Sequence, residues 1–335
     1  PKSNTLQQEE SSTTSGSDAS LDKILTGIKH NALRNVVLRD LPLPSKQFQA
    51  LGEALKINTT VLSMNLSGET HVHLAYFNAN LQNLGVDLTP TLLTILMDAM
   101  RVNKSVTNIN CKDCNIRARG ARSIADMLAV NSSIKTLNLS GNLIGTSGAR
   151  AMAQILSSTS VLTSLDLSFA RIGTRLIFRP FSRINRSLSG PDGISEIAHA
   201  LRTNSKLEVL FLRDNRAGNS GVVSLGKSLS LSLSLSLSLS LSLFLHINPP
   251  FTADTLACNN TIKYLHLQDN NIDTGSMEYL GEALMTNSSI AYLNLAMNNI
   301  GEGITHIAEG LANNTSLRYV FSLSLSLSLS LSLSL

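Results

Sequence analysis

The sequence predicts an α/β solenoid, with a parallel sheet lining the concave side and helices covering the convex side. Three observations predict it. A unit of 28 residues recurs along the chain. Each unit opens on an alternating apolar pattern and closes on a helical one. The apolar positions hold one register: Ile109, Leu137 and Leu165 are 28 apart, as are Leu265 and Leu293, and Val36 and Met64. A fixed period of this length marks stacked repeats, because one unit cannot bury its own hydrophobic face.

The unit at Leu137 justifies each element. Leu137 and Leu139 alternate with Thr136, Asn138 and Ser140, which predicts a short strand with one buried face. Asn142 follows at the turn, and Asn215, Asn270 and Asn298 occupy the same slot. A side-chain amide there can bond the backbone of neighbouring turns. Ile144 is expected in the core, with Gly145 and Gly148 easing the loop that enters the helix. Ala149, Met152, Ala153 and Leu156 then line one helical face. Asn58, Asn103, Asn131, Asn287 and Asn313 follow successive helices. The expected reason is that asparagine tolerates the left-handed conformation that ends helices. Several of them also match the N-x-S/T acceptor pattern. Strands are expected to centre on Val36, Met64, Ile109, Leu137, Leu165, Leu210, Leu265 and Leu293.

The copies beginning at Ile134 and Ile290 read L-x-L-x-x-N, then a glycine-bearing turn after isoleucine, then a helix ending in asparagine and hydroxyl residues. This pattern resembles the leucine-rich repeat, in the 28-residue form of ribonuclease inhibitor and of the sensor arms of NOD-like receptors. The resemblance covers roughly residues 21–321. It implies a rigid curved surface that binds proteins, with no reactive cleft.

The organisation around these repeats is uneven. Residues 1–20 are polar and serine-rich, and are expected to be a disordered leader. The step from Met64 to Ile109 is 45, as is that from Leu165 to Leu210, so each exceeds one period by 17. The extra residues fall near 69–85 and 175–191. The first insertion carries His71, His73, Tyr76 and Phe77, and the second Arg175, Arg179, Arg183 and Arg186. Insertions in solenoids map to loops. The second is expected to leave the solenoid, because Pro180 and Pro191 oppose a helix and four arginines resist burial.

Residues 228–243 and 322–335 alternate Ser and Leu without exception. A CT dinucleotide repeat encodes this alternation in every frame, which suggests repeat expansion and a gene product altered by it. Leu210 to Leu265 is 55, one short of two periods. The internal tract is therefore expected to supply one strand of the solenoid, followed by a helix at Ala253, Leu256 and Ala257. The terminal tract begins where the strand after Leu317 is due, so a C-terminal cap is expected to be missing. Serine at every second position argues against a membrane span, and edge-on β association is the expected liability.

Composition narrows function. The chain has 27 basic and 23 acidic residues, a formal net charge of +4, too little for a broad nucleic-acid-binding face. Three cysteines in 335 residues suit a reducing compartment. With no secretory pattern, a cytoplasmic location is expected. The chain opens at Pro1, which reads as a fragment or as loss of an initiator methionine.

Chemical motifs are weak. Cys111 and Cys114 make a C-x-x-C without a second pair, and register equates them with Leu139 and Asn142, so a packing role is expected. His71 and His73 lack a third ligand in their segment. The catalytic, phosphate-binding and dinucleotide-binding signatures are absent. No catalytic residue, metal or cofactor is expected.

Register also assigns the side chains of the concave face. Its middle is small and polar: Asn108, Asn110, Lys112, Thr136, Asn138, Ser140, Ser164, Asp166 and Ser168. The later repeats bring Phe211, Arg213, Tyr264, His266 and Tyr292 to that face. Aromatics with arginine are the usual anchors of protein interfaces, so these five are the candidate partner-binding residues. With a Ser-Leu strand between their repeats, Phe211 and His266 are expected about 10 Å apart, two strand spacings.

The leading expectation is a non-catalytic scaffold that binds a protein partner, with neither nucleic acid nor membrane as partner and the oligomeric state open. The alternative is a GTPase activator resembling the Ran GTPase-activating protein, which shares this repeat class. Arg117, Arg171 and Arg216 lie in strand-to-helix loops and are the candidate arginines for it. The acidic tail of that family is missing here.

Overall fold

The computed structural model describes residues 18–38, 45–67, 90–158, 161–173, 193–229, 259–321, 323–324 and 327–328. Strand and helix alternate along it. Helix α1 (Asp18–Lys29) precedes β1 (Asn35–Val37), α2 (Ser45–Ile57), β2 (Ser63–Asn65) and α3 (Pro90–Val102). The next turns are β3 (Asn108–Asn110), α4 (Arg117–Leu128), β4 (Thr136–Asn138), α5 (Gly145–Leu156), β5 (Ser164–Asp166) and α6 (Gly193–Leu201). The last are β6 (Val209–Phe211), α7 (Gly218–Leu229), β7 (Tyr264–His266), α8 (Met277–Thr286), β8 (Tyr292–Asn294), α9 (Ile304–Leu311) and β9 (Tyr319–Phe321).

The nine strands form one sheet in chain order, every neighbour parallel. Each expected strand centre pairs with the next: Val36 with Met64, Ile109 with Leu137, Leu137 with Leu165, Leu265 with Leu293. All of these side chains are buried, in a core that runs unbroken from Ile24 to Leu317. Neighbouring helices need about 8–10 Å between axes and neighbouring strands about 4.8 Å. A stack of such units therefore bends with its strands on the inside.

Two asparagine ladders hold the turns together. In the first, Asn142 donates from Nδ2 to the carbonyls of Cys111, Leu139 and Ser140, and its Oδ1 accepts from the backbone N–H of Cys114 and Ile116. Asn215, Asn270 and Asn298 repeat the arrangement, each against the turn before it. Cys114 takes this slot in its own repeat, and its thiol donates to the Leu66 carbonyl at 3.2 Å. Around the slot the backbone visits positive φ at alternate residues, as at Gly141, Leu143 and Gly145. The bonds that converge on the amide hold this unusual path.

The second ladder corrects an expectation. Asn58, Asn103, Asn131, Asn204, Asn259, Asn287 and Asn314 each donate to a carbonyl of the preceding repeat. Each also accepts from backbone N–H groups two or three residues ahead. They do not work through left-handed backbone: Asn287 has φ −76° and ψ 127°. Their role is to bond two turns at once. In the last repeat the bonded residue is Asn314, not Asn313. Asn58 and Asn103 are only 3% and 2% exposed, with their Nδ2 groups engaged, so the folded chain leaves no room for a glycan on either.

Glycine 148 corrects another. It lies inside α5, where a Cβ would crowd Ile144 and stand 3.0 Å from the Ala121 side chain. Its smallness lets α4 and α5 approach. The loop role belongs to Gly145, which has φ +66°.

The Ser-Leu expectation fails at β6 and β7. These strands pair directly, Val209 with Tyr264 and Phe211 with His266. Helix α7 ends at Leu229, and the Asn259 N–H bonds the Ser228 carbonyl at 3.0 Å. The 55-residue step is therefore one period plus 27 extra residues, not two shortened periods. Asn270 binds the Asn215 turn itself, which leaves no place for a turn between them. Ala253, Leu256 and Ala257 lie outside the described residues, as do 69–85 and 175–191 and the first 17 residues. At the other end β9 completes the ladder before the terminal tract begins. Within that tract, β10 (Leu323–Ser324) and β11 (Leu327–Ser328) pair antiparallel.

Candidate protein interface

On β6 to β9 the inward residues are Leu210, Leu265, Leu293 and Val320, so the residues on either side of each face the open side of the sheet. Register sets them in two rows. One row runs Val209, Tyr264, Tyr292, Tyr319, and the other Phe211, His266, Asn294, Phe321. The His266 ring stacks between Phe211, at 4.3 Å between centroids, and Tyr292, at 4.8 Å. Tyr292 also meets Tyr264 at 6.1 Å, Tyr319 at 6.4 Å and Phe321 at 5.5 Å. It is the hub of a six-ring cluster built by four consecutive strands. Ring pairs of this kind contribute about 0.5–1.5 kcal/mol each.

Of the five residues that the sequence nominates, four are in this cluster. The distance expected between Phe211 and His266 is overturned: their strands are adjacent, so their rings touch. Arg213 stands apart, with its guanidinium over Phe169 at 5.3 Å from the ring centroid. Two members of the cluster were not nominated, nor was Phe169 under Arg213. Tyr319 and Phe321 pair with Tyr292 and Asn294 after a step of 27, one short of the period, and are 60% and 44% exposed. A 28-residue step from Leu293 falls on Phe321 rather than Val320, so strict register misses them by one residue. Phe169 has φ +57° at the position Gly141 holds one turn earlier, and no strand pattern marks it.

The polar half of the face is bonded to itself. Asn65, Asn110 and Asn138 each accept on Oδ1 from a backbone N–H two residues on. Asp166 does the same with Ser168 at 2.9 Å. Burial pushes the Asp166 carboxyl above its ordinary 3.8, against the Ser168 hydrogen bonds and the Lys112 charge, which pull it down. The native state thus holds that proton more tightly than the unfolded chain. The ionised group costs stability once pH rises from 3.8 through the raised value. Asp166→Asn keeps the acceptor and removes the charge, as Asn138 does beside it. It is expected to raise the melting temperature at pH 7 and to make no difference at and below pH 3.8. Paired thermal melts across that range check this. Burial lowers the His266 imidazole below its ordinary 6.5, so the ring in the stack is neutral at pH 7.

Cys111 and Cys114 are buried thiols at core positions, and Cys258 and both histidines of the first insertion lie outside the described residues. Among the described residues no three His, Cys, Asp or Glu side chains converge as a metal site would need. No described helix is long and apolar enough to cross a membrane. Arg171 and Arg216 share one loop position, both at positive φ, and Arg117 sits two positions later in its own loop, bonded to Asn115.

The leucine-rich-repeat family model matches residues 130–153 and 258–281. No curated protein matches the chain. Among solved structures, the actin-binding site 2 of leiomodin-1 is similar at 16% identity, over 54% of this chain and 80% of that one, with a TM-score of 0.34. An internalin from Listeria monocytogenes is similar at 14% identity, over 88% and 70%, with a TM-score of 0.35. The parallel ladder, its helical backing and the repeat matches together define an α/β leucine-rich-repeat solenoid.

Proposed function

We propose that this protein is a non-catalytic interaction scaffold that takes a protein partner on the C-terminal half of its concave face. One observation carries the reading: six rings from β6 to β9 gather on the open side of the sheet, with Tyr264, Tyr319 and Phe321 each more than two-fifths exposed. Half-exposed aromatics held rigidly by a sheet lose little entropy when a partner covers them. We place the repeats in the 28-residue, ribonuclease-inhibitor-like type found in NOD-like receptor arms, on the period and on the helix in each turn. A cytoplasmic location fits the two buried thiols.

The test uses a partner obtained by affinity capture with the full chain. Phe211→Ala and Tyr292→Ala are expected to weaken its binding by about 5-fold or more each, since truncated anchors cost more than about 1 kcal/mol. Thr136→Ala is the control on the polar half. Ser140 serves less well, because it is buried and its Oγ bonds Asn138 at 2.7 Å. If both aromatic variants remain folded and bind like the control, the partner sits elsewhere.

A further inference from the structure

Arg213 is the odd member of the face, and it specifies the partner more closely; this step rests on the concave-face reading above. At the face positions 209, 211, 213, 264, 266, 268, 292, 294, 296, 319 and 321, Arg213 has the single formal charge, while Asp214, Arg216 and Asp269 lie further along the loops. Its guanidinium lies over Phe169, and its buried Nε–H has no hydrogen-bond partner. Among the described residues it makes no ion pair. Two other cations beside the sheet are paired within the chain: Lys263 with Glu208 at 3.1 Å and Lys112 with Asp113 at 3.9 Å. A half-buried guanidinium that lacks an acceptor is unfavourable, and a carboxylate is the anion its fork accepts with two parallel bonds.

We propose that the partner segment is an extended acidic–apolar peptide, one carboxylate of which docks on Arg213 while an apolar side chain nearby packs on the Phe211, His266 and Tyr292 rings. Phe211 and Arg213 are two residues apart on one face, so anchor and charge sit about 7 Å from each other. A single cation matches a singly charged carboxylate better than a dianionic phosphate. The ring stack narrows the choice further. His266 is stacked on both sides and Phe211 and Tyr292 on one side each, which leaves ring edges, with their partial positive charge, among the surfaces open to a partner. Edges favour carboxylates and apolar side chains over sugars or bases, which need open ring faces.

The experiment pans a phage-displayed random dodecapeptide library on the full chain, then measures one enriched peptide by tyrosine fluorescence. The chain has no tryptophan and five tyrosines, three of them in the cluster, so the signal reports the site. Enriched peptides are expected to pair Asp or Glu with Phe, Tyr, Leu or Ile one or two residues away. Arg213→Gln is expected to weaken binding about 10-fold, as a lost charge-assisted bond does. Arg213→Lys should recover part of it. Replacing the peptide's acid by its amide should weaken the wild type equally, and the Arg213→Gln variant no further. Peptides that bind through Phe211 yet lack an acid, carry a base instead, or ignore Arg213→Gln overturn this proposal and leave the concave-face reading intact. A library that yields no Phe211-dependent peptide overturns both.

Discussion

Replacing Asn270 by leucine is expected to uncouple the last repeats from the rest of the solenoid. Asn270 is fully buried, and its amide bonds four backbone groups: Oδ1 accepts from the N–H of Asn215 and Ala217, and Nδ2 donates to the carbonyls of Leu212 and Gln268. Leucine fills similar space but satisfies none of them. Each orphaned group costs about 1–3 kcal/mol, so a loss of about 4 kcal/mol or more is expected, a large share of the 5–15 kcal/mol that holds a typical domain. Position sharpens the effect. Three of the four groups belong to the turn before β7, across the junction where the spacing exceeds one period by 27. In a linear array, weakening one interface lets the segments on either side melt separately. Hydrogen exchange should therefore rise in residues 259–321 well before residues 90–158. Asn270→Cys should fall between wild type and leucine, because a thiol in this slot donates to one carbonyl, as Cys114 does. A single cooperative melt at the wild-type temperature would show that the ladder holds nothing.

These asparagines also mark how far the sequence could be read. The slot at Asn142, Asn215, Asn270 and Asn298 follows a strict spacing, so its place and its bonding across turns were both legible. The helix-end asparagines were legible in place but not in mechanism. Local propensity explains an asparagine after a helix equally well by left-handed backbone, and only the neighbouring repeat reveals that Asn131 reaches back to Met100 and Asn103. The 55-residue step was ambiguous for a related reason. Arithmetic alone favours two turns one residue short, whereas the backbone bonds between the Asn215 and Asn270 turns require one.

The candidate site divides in the same way. Period-two alternation was enough to bring Phe211, Tyr264, His266 and Tyr292 to one face. Which rings touch depends on strand order, and a single misplaced strand had separated Phe211 from His266. Tyr319 and Phe321 were hidden by the Ser-Leu run that begins one residue later. Arg213 was visible, but its cover by Phe169 was not, since that ring comes from a loop residue at positive φ rather than from a strand.

Gly281→Leu is expected to have an effect of similar size, through packing instead of hydrogen bonds. The repeat pattern suggests tolerance. The equivalent position holds Met97 in α3 and Ala125, Ala153 and Ala198 in α4, α5 and α6, although α2 and α7 keep glycine there, at Gly52 and Gly226. Helix propensity adds about 1 kcal/mol in favour of alanine over glycine. Tertiary contact decides otherwise in α8. A Cβ on Gly281 would overlap the His306 carbonyl oxygen and lie 2.8 Å from its carbon. Gly310 is as close in return, with its Cβ position 2.5 Å from the Gly281 oxygen. Helices α8 and α9 thus meet backbone to backbone, and no side-chain rotamer can relieve the clash. Overpacking costs about 1–3 kcal/mol where side chains can shift, and more where they cannot. Alanine should therefore destabilise despite its propensity, and leucine should push α9 off the stack. Because β9 follows α9, the rings of Tyr319 and Phe321 should leave the cluster with it. The measurement is a thermal melt followed by both circular dichroism and tyrosine fluorescence. With leucine, the fluorescence transition should precede the loss of helix. A Gly281→Ala variant as stable as the wild type would mean that α8 and α9 can part without loss, and that the close approach contributes nothing to the fold.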